Sequence, residues 1–291
     1  VDERLSRVTA LLEVMVATVI LGSTLVLVKL ALVELPPLTI TALRYAFASL
    51  VLLPFLVRHN SLSRYPLALW VRFAIIGLGF YVIGNGALYV GLQFIPAATG
   101  SLLLSLVPTL VVLGGVVWLG EIPTRAQVVG IVVALGGSVV FFSPDLKPGE
   151  LRGIAIVAIG LGGNATFGIV GREIVLKWHP GPVARTALPL GIGSSVLVPL
   201  ALLLDGIPRA SFRVWGLVVW LAVVNTTLVY TLLNHALSVL AAFEESAILS
   251  LTPFATALWA WLLLRERLQP VQLLGMAVVV LGVVLVEWTQ P

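Results

Sequence analysis

No cysteine occurs in the 291 residues. Disulfides, thiolate metal centres and cysteine nucleophiles are therefore excluded. Histidine is nearly as scarce, with three residues at His59, His179 and His235. No His-Glu-x-x-His zinc helix or Gly-x-Ser-x-Gly elbow is present, so metal-dependent hydrolysis and Ser–His chemistry lack their parts. No enzymatic activity, metal or cofactor is expected. The deepest shortage is charge. Asp, Glu, Lys and Arg make up 10% of the chain, against about 25% in soluble domains. With 59% hydrophobic residues and a mean hydropathy of +1.11, the chain has too little polar surface for a soluble globule, and its partner is the lipid bilayer. The net charge of +4 comes from basic residues set in ones and twos between apolar runs. Without an aromatic-studded basic stripe, no nucleic-acid partner is expected.

What is abundant is long apolar sequence. Ten segments of about twenty residues can be drawn, the length that a rise of about 1.5 Å per residue needs to cross about 30 Å of hydrocarbon. They run 8–33, 37–57, 67–92, 96–118, 124–142, 151–177, 182–204, 214–238, 242–264 and 270–288. Transmembrane β-strands would be about ten residues long and would alternate, which these continuous runs do not. The first segment lacks a small-residue cleavage site and is read as a retained span. Pro36, Pro37, Pro96, Pro123, Pro180, Pro182, Pro208 and Pro270 mark the breaks, because proline is tolerated in the first helical turn.

The chain also repeats itself. A shift of 145 residues carries Ser101, Ser105, Pro108, Glu121, Gln127, Gly130 and Gly137 onto Ser246, Ser250, Pro253, Glu266, Gln272, Gly275 and Gly282. Without a gap it also carries Pro37, Ser49, Pro54 and Trp70 onto Pro182, Ser194, Pro199 and Trp215. The expected organisation is residues 1–145 as one repeat of five helices and 146–291 as a second. An odd number of crossings per repeat turns the second upside down relative to the first. Positive-inside counting gives each half the same orientation, so the two halves conflict. The earlier and denser set, Arg4, Arg7, Arg58, Arg64 and Arg125, places both termini in the cytoplasm.

The runs "ALYVGLQFIPAATGSLLLSLVPTLVVLGGVVWLGEIPTRAQVVGIVVALGG" and "SAILSLTPFATALWAWLLLRERLQPVQLLGMAVVVLGV" resemble the EamA-type repeats of the drug/metabolite transporter superfamily. The specific marks are Pro108 and Pro253, Glu121 and Glu266, Gly130 and Gly275, and Arg44 in the second span; the resemblance covers nearly the whole chain. It implies an all-α integral membrane protein with ten transmembrane helices in two inverted five-helix repeats around a central cavity. The implied function is secondary transport of small metabolites, amino acids or related compounds, commonly outward, across the cytoplasmic (inner) membrane of a prokaryote. A multidrug or hydrophobic-cation exporter and a non-transporting membrane scaffold are the alternatives.

Candidate site residues follow from polarity inside spans, because polar groups facing lipid are costly. Tyr81, Asn85, Tyr89 and Gln93 are spaced by four along the third span, hence on one side of a helix. The same shift gives Thr226, Tyr230, Asn234 and Ser238 on the eighth. Tyr81, Asn85, Tyr89, Tyr230 and Asn234, with Ser105, Ser250 and Asn164, are the expected substrate-binding set; interhelical hydrogen bonding is the competing role. Pro108 and Pro253 are expected to kink the fourth and ninth spans as hinges, with nearby serines covering freed carbonyls.

Glu13, Glu244 and Glu245 are the candidates for proton coupling, since each breaks the repeat symmetry: Ala158, Thr99 and Gly100 stand at the equivalent positions. First-turn acidic residues also favour helix N-termini electrostatically, without any transport role. Glu121 and Glu266 are read as structural. Arg44 is read mainly as an interfacial anchor whose side chain snorkels, with anion binding as the other possibility. Arg172 with Glu173 reads as a local pair. Gly130 with Gly137, and Gly275 with Gly282, recur one heptad apart and should let helices approach closely.

Overall fold

The computed structural model describes residues 2–58, 65–120, 122–143, 148–236, 239–240 and 242–288. Among them no strand occurs. Among the described residues nine helices are long and apolar enough to cross a membrane: Arg7–Ala31, Pro37–Leu56, Leu67–Gly91, Ala97–Trp118, Gly149–Trp178, Val183–Asp205, Phe212–Leu233, Glu244–Leu264 and Pro270–Glu287. The shorter apolar helix Arg125–Phe141 falls between the fourth and fifth of these, and makes ten spans in chain order. Boundaries lie within a few residues of the sequence expectation because proline, glycine and caps set them.

Equivalent positions in the two halves end helices the same way. Gly120 and Arg265, 145 residues apart, close the fourth and ninth spans in the left-handed conformation, with φ of 68° and 58°. Glycine adopts that conformation freely, and arginine does so at a cost. At the start of the fifth span Thr124 and Gln127 form a capping box. Its counterpart at the tenth keeps one arm, Gln269 N–H donating to Gln272 Oε1 at 2.9 Å. Glu266 takes the expected structural part: its Oε2 accepts from the Ala97 N–H at 2.9 Å, covering an otherwise free donor at the start of the fourth span. Glu121 lies outside the described residues.

The chain folds as two compact units, and neither is one half of the sequence. One comprises Val1–Val26, Phe94–Arg152 and Leu228–Pro291. In it the fifth and tenth spans, equivalent in the repeat, lie antiparallel against each other: Gly130 meets Gly282 and Gly137 meets Gly275. A Cβ on Gly137 would stand 2.5 Å from Val279 N, and one on Gly275 2.4 Å from Phe141 N. The glycine heptads thus permit backbone-to-backbone packing, as their spacing implied. Ala98, Leu102, Ala134, Phe141, Met276 and Val279 fill the core beside them.

The other unit comprises Leu27–Gln93 and Gly153–Thr227. Here the second and seventh spans, again equivalent, run antiparallel, with Thr39 Oγ1 at the start of one donating to Asp205 Oδ2 at the end of the other at 2.8 Å. The third and sixth spans approach through glycine: a Cβ on Gly163 would stand 2.4 Å from Gly79 O and 2.6 Å from Gly84 N. The run Gly160–Ala165 is therefore a packing surface. In both units equivalent spans pair in opposite directions, which is the local packing of an inverted repeat.

Two features differ from the sequence expectation. The third and eighth spans are not α-helical throughout, because Gly77–Gly84 and Val223–Leu228 are π-helical. They occupy equivalent places in the two repeats. Polar side chains bond carbonyls five residues back: Asn85 Nδ2 to Phe80 O and Thr226 Oγ1 to Leu221 O, each 2.9 Å, and Thr227 Oγ1 to Ala222 O at 3.2 Å. The fourth and ninth spans are each two helices rather than one kinked helix. Ala97–Leu104 gives way to Val107–Leu119, and Ala242–Leu249 to Thr252–Leu264. Pro108 and Pro253 sit in the first turn of the second piece, where no partner for their missing N–H is needed.

Candidate functional site

In the unit built on the second, third, sixth and seventh spans, the most unusual polar group is Arg44. It enters seven residues after the start of the second span, about 10 Å along the helix at about 1.5 Å per residue. Only 6% of its surface is exposed, so it is not the snorkelling anchor that its place near a span end suggested. Its Nε donates to Thr226 Oγ1 at 3.1 Å, its Nη1 to the Tyr89 hydroxyl, and its Nη2 to the Asn225 carbonyl at 3.5 Å. The guanidinium also lies 5.4 Å from the Tyr45 ring centroid, within cation–π range. Tyr45 meets Tyr81 edge-on at 4.8 Å. Second, third and eighth spans thus converge on one buried cation, and the π-helical turn supplies two of its oxygen partners.

The substrate-binding candidates divide between roles. Tyr89 is fully buried and touches Arg44, and Tyr81 is buried beside Tyr45. Asn85 and Asn164 are buried, but each amide donates to its own helix, Asn164 Nδ2 to Gly160 O at 2.9 Å. Ser105 and Ser250 donate to Leu102 O at 2.6 Å and Ala247 O at 2.7 Å, at the breaks of the fourth and ninth spans. Their matching bonds give the serines a structural part in the interruptions. Tyr230 is half-buried, and the Asn234 side chain lies outside the described residues. Gln93 is exposed in the turn after the third span. A four-residue stripe presumes α geometry, which the π segment interrupts.

In the other unit the proton-coupling candidates meet basic partners. Glu13 Oε2 lies 2.7 Å from His235 Nδ1, and Arg7 pairs with Glu244. Both pairs border a small apolar cluster of Ala10, Val14, Ala236 and Leu240. The carboxylates are partly covered, Glu13 at 19% and Glu244 at 21% side-chain exposure, while His235 and Arg7 are about 60% exposed. Glu245, next in sequence, is buried. Between the fourth and ninth spans Thr256 Oγ1 donates to Ser101 Oγ at 3.0 Å.

Sequence reading missed one buried carboxylate network. Glu173 reaches Arg72 on the third span through both oxygens, at 3.1 and 3.3 Å, and Lys177 at 2.8 Å. The nearby arginine in sequence gave no signal of that long-range partner. Outside the spans, Glu34 accepts from the Ser211 N–H at 2.6 Å and from its hydroxyl at 2.9 Å. The backbone bond, then the hydroxyl bond, hold its carboxyl below the usual carboxylate range, with Arg213 adding to the effect. Among the described residues no three His, Asp or Glu side chains group to hold a metal ion.

Comparison with known proteins adds the relatives. The model of the EamA-like transporter family matches residues 8–143 and 151–288. An uncharacterized transporter of Archaeoglobus fulgidus is 26% identical over 261 residues, 89% of this chain and 91% of its own. The uncharacterized transporter YyaM of Bacillus subtilis is 25% identical over 90% of this chain and 88% of its own. A probable terminal-alkyne amino-acid exporter of Streptantibioticus cattleyicolor is 26% identical over 66% of this chain and 65% of its own. A solved crystal structure superposes with a TM-score of 0.68 at 19% identity, over 95% of this chain and 96% of that one, a likeness of fold.

Proposed function

The chain belongs to the EamA-like transporter family, and on that premise we propose that it carries amino acids or related small zwitterions outward across the cytoplasmic membrane by alternating access. It is a multi-pass membrane transporter; the substrate class, direction and mechanism are the proposal. The observation that carries it is the pairing of interruptions. The third and eighth spans are π-helical, and the fourth and ninth are broken, at equivalent places in the two repeats. Interrupted helices in corresponding positions of two inverted repeats are the strongest local pointer to a transport site, because irregular backbone within a membrane needs protein or water to satisfy it. The resemblance to an amino-acid exporter in one relative favours the substrate class. Both termini are assigned to the cytoplasm.

Proton coupling, where present, is assigned to Glu13 with His235. Glu13 lies against a histidine, the side chain type most used to carry protons, whereas Glu244 is engaged by an arginine that stays charged. Glu245 is buried and serves as the second candidate.

Purified protein in liposomes tests the reading. Vesicles should take up labelled amino acids faster than protein-free vesicles, and an internal pool of the same compound should raise the rate. Uptake confined to hydrophobic cations would replace the zwitterion reading with multidrug export, and no uptake of either class would leave a scaffold.

A further inference from the structure

We propose that one end of the unit built on the second, third, sixth and seventh spans holds the phosphate of an anionic phospholipid. The site is independent of what the protein carries. At this end the second and sixth spans finish and the third and seventh begin, and Leu56, Phe73, Ile174 and Ala184, one from each, share an apolar cluster. Residues 50–76 and 166–195 make up these span ends and their connectors. They contain six Lys and Arg, at Arg58, Arg64, Arg72, Arg172, Lys177 and Arg185, and a single carboxylate, Glu173. That carboxylate is buried and already engaged, by Arg72 through both oxygens and by Lys177. The balance at this end is therefore strongly positive, a charge that calls for an anion from outside the chain.

Arg185 carries the surplus most openly. It is half-buried, its Nε is buried without a hydrogen-bond partner, and among the described residues no carboxylate pairs with it. It is the fourth residue of the helix Pro182–Asp205, near the end where the macrodipole disfavours a cation. The cluster is also one-sided: Leu217, Leu32 and Ile40 stand where the repeat would place counterparts of Arg72, Lys177 and Arg185. Depth favours a lipid as the source of the anion. The Trp178 ring centroid lies 6.0 Å from the Arg72 guanidinium and 5.9 Å from the Lys177 ammonium, and tryptophan settles at the headgroup level of a bilayer. Leu67 and Val71 on the third span, with Val175 and Leu176 on the sixth, are exposed beside these cations. A phosphodiester with acyl chains matches both the charge and the apolar surface, whereas a soluble anion matches the charge alone.

The test uses full-length protein in a neutral detergent, with phosphatidylglycerol, phosphatidylcholine or inorganic phosphate added. Bound lipid is counted by native mass spectrometry and stability is followed by melting. The wild type should retain phosphatidylglycerol over phosphatidylcholine and melt higher with it, and phosphate alone should reproduce little of that shift. Arg185→Gln removes no side-chain bond described above, so it should assemble normally yet bind phosphatidylglycerol about fivefold more weakly, the loss of one cation beside an anionic headgroup. Arg185→Lys should keep most of the affinity. Arg209→Gln, at an exposed arginine beyond the opposite end of the same span, should leave it unchanged.

If Arg185→Gln does not assemble, Lys177→Gln, at an exposed lysine, decides by the same fivefold comparison. Equal retention of the two lipids overturns the site, as does protection by phosphate equal to that by phosphatidylglycerol. So does an affinity unchanged in Arg185→Gln or lowered as much in Arg209→Gln, since binding would then be diffuse attraction. Each of these outcomes leaves the transporter reading intact.

Discussion

The two compact units draw on the same repeat and pair their charges differently. In the unit of the second, third, sixth and seventh spans, Arg44 and Glu173 are drawn inside, with 6% and 2% of their surfaces exposed. In the unit of the fourth, fifth, ninth and tenth spans, Glu245 is buried too, but the two ion pairs described above combine a partly covered carboxylate with a largely exposed base. Buried charges must be matched by geometry, because desolvation of each ion costs several kcal/mol. Ion pairs with an exposed partner are worth about 0–1 kcal/mol. The first unit therefore matches its buried charges with several partners, while the ion pairs described in the second rest on exposed bases.

The comparison is sharpened by variants that strike each unit at matching points. The largest effect is expected where backbones touch. Gly137→Leu and Gly163→Leu, one in each unit, should lower stability by about 3 kcal/mol or more through overpacking, because a Cβ at either meets backbone within 2.5 Å. Gly136→Leu and Gly162→Leu, with nothing within 4 Å of the added Cβ, are the controls and should be tolerated. Thermal melting and monodisperse yield distinguish the two pairs. A midsized effect separates the carboxylates. Glu173→Gln should cost about 1–3 kcal/mol because it takes the charge from a buried carboxylate that part-buried Arg72 and Lys177 both bond. Glu244→Gln should change stability by about 0.5 kcal/mol or less.

Function reverses that order. Glu13→Gln and His235→Gln should leave melting nearly unchanged, yet abolish dependence of uptake on a pH gradient while sparing exchange. A gradient dependence that survives both removes the pair from coupling, and then Glu244→Gln with Glu245→Gln becomes the decisive double variant. The smallest expected effect lies at the Glu34 turn. Its folded pKa is lowered, so its contribution is present above the unfolded carboxylate value and fades as pH falls through the lowered folded value. Ser211→Ala should reduce melting temperature slightly at neutral pH, and the difference should shrink in acid to what the lost cap on the Val214 N–H contributes.

The span boundaries and the glycine heptads were legible because proline and small residues act locally. The π-helical turns were not. A spacing of four residues from Tyr81 to Asn85 reads as one α-helical face, and nothing in side-chain type announces that the ring closes at the fifth residue. Arg44 was misread for a related reason. A lone arginine near a span end resembles a snorkelling anchor, and its burial depends on Thr226 and Asn225, more than 180 residues away. Glu173 likewise finds Arg72 across 101 residues. Pro108 and Pro253 stand in the first turn of a second helix, a place that looks the same in sequence as proline within a kinked helix.

Among the described residues the fifth is the shortest of the ten spans, 17 residues from Arg125 to Phe141, about 25 Å at about 1.5 Å per residue. Whether it crosses decides whether the second repeat is inverted. Because the chain has no cysteine, Ile122→Cys and Ser143→Cys can each be labelled alone in intact cells with a membrane-impermeant maleimide. Labelling of Ser143→Cys from outside while Ile122→Cys stays protected is the predicted result, and labelling of both from the same face would contradict the inverted architecture.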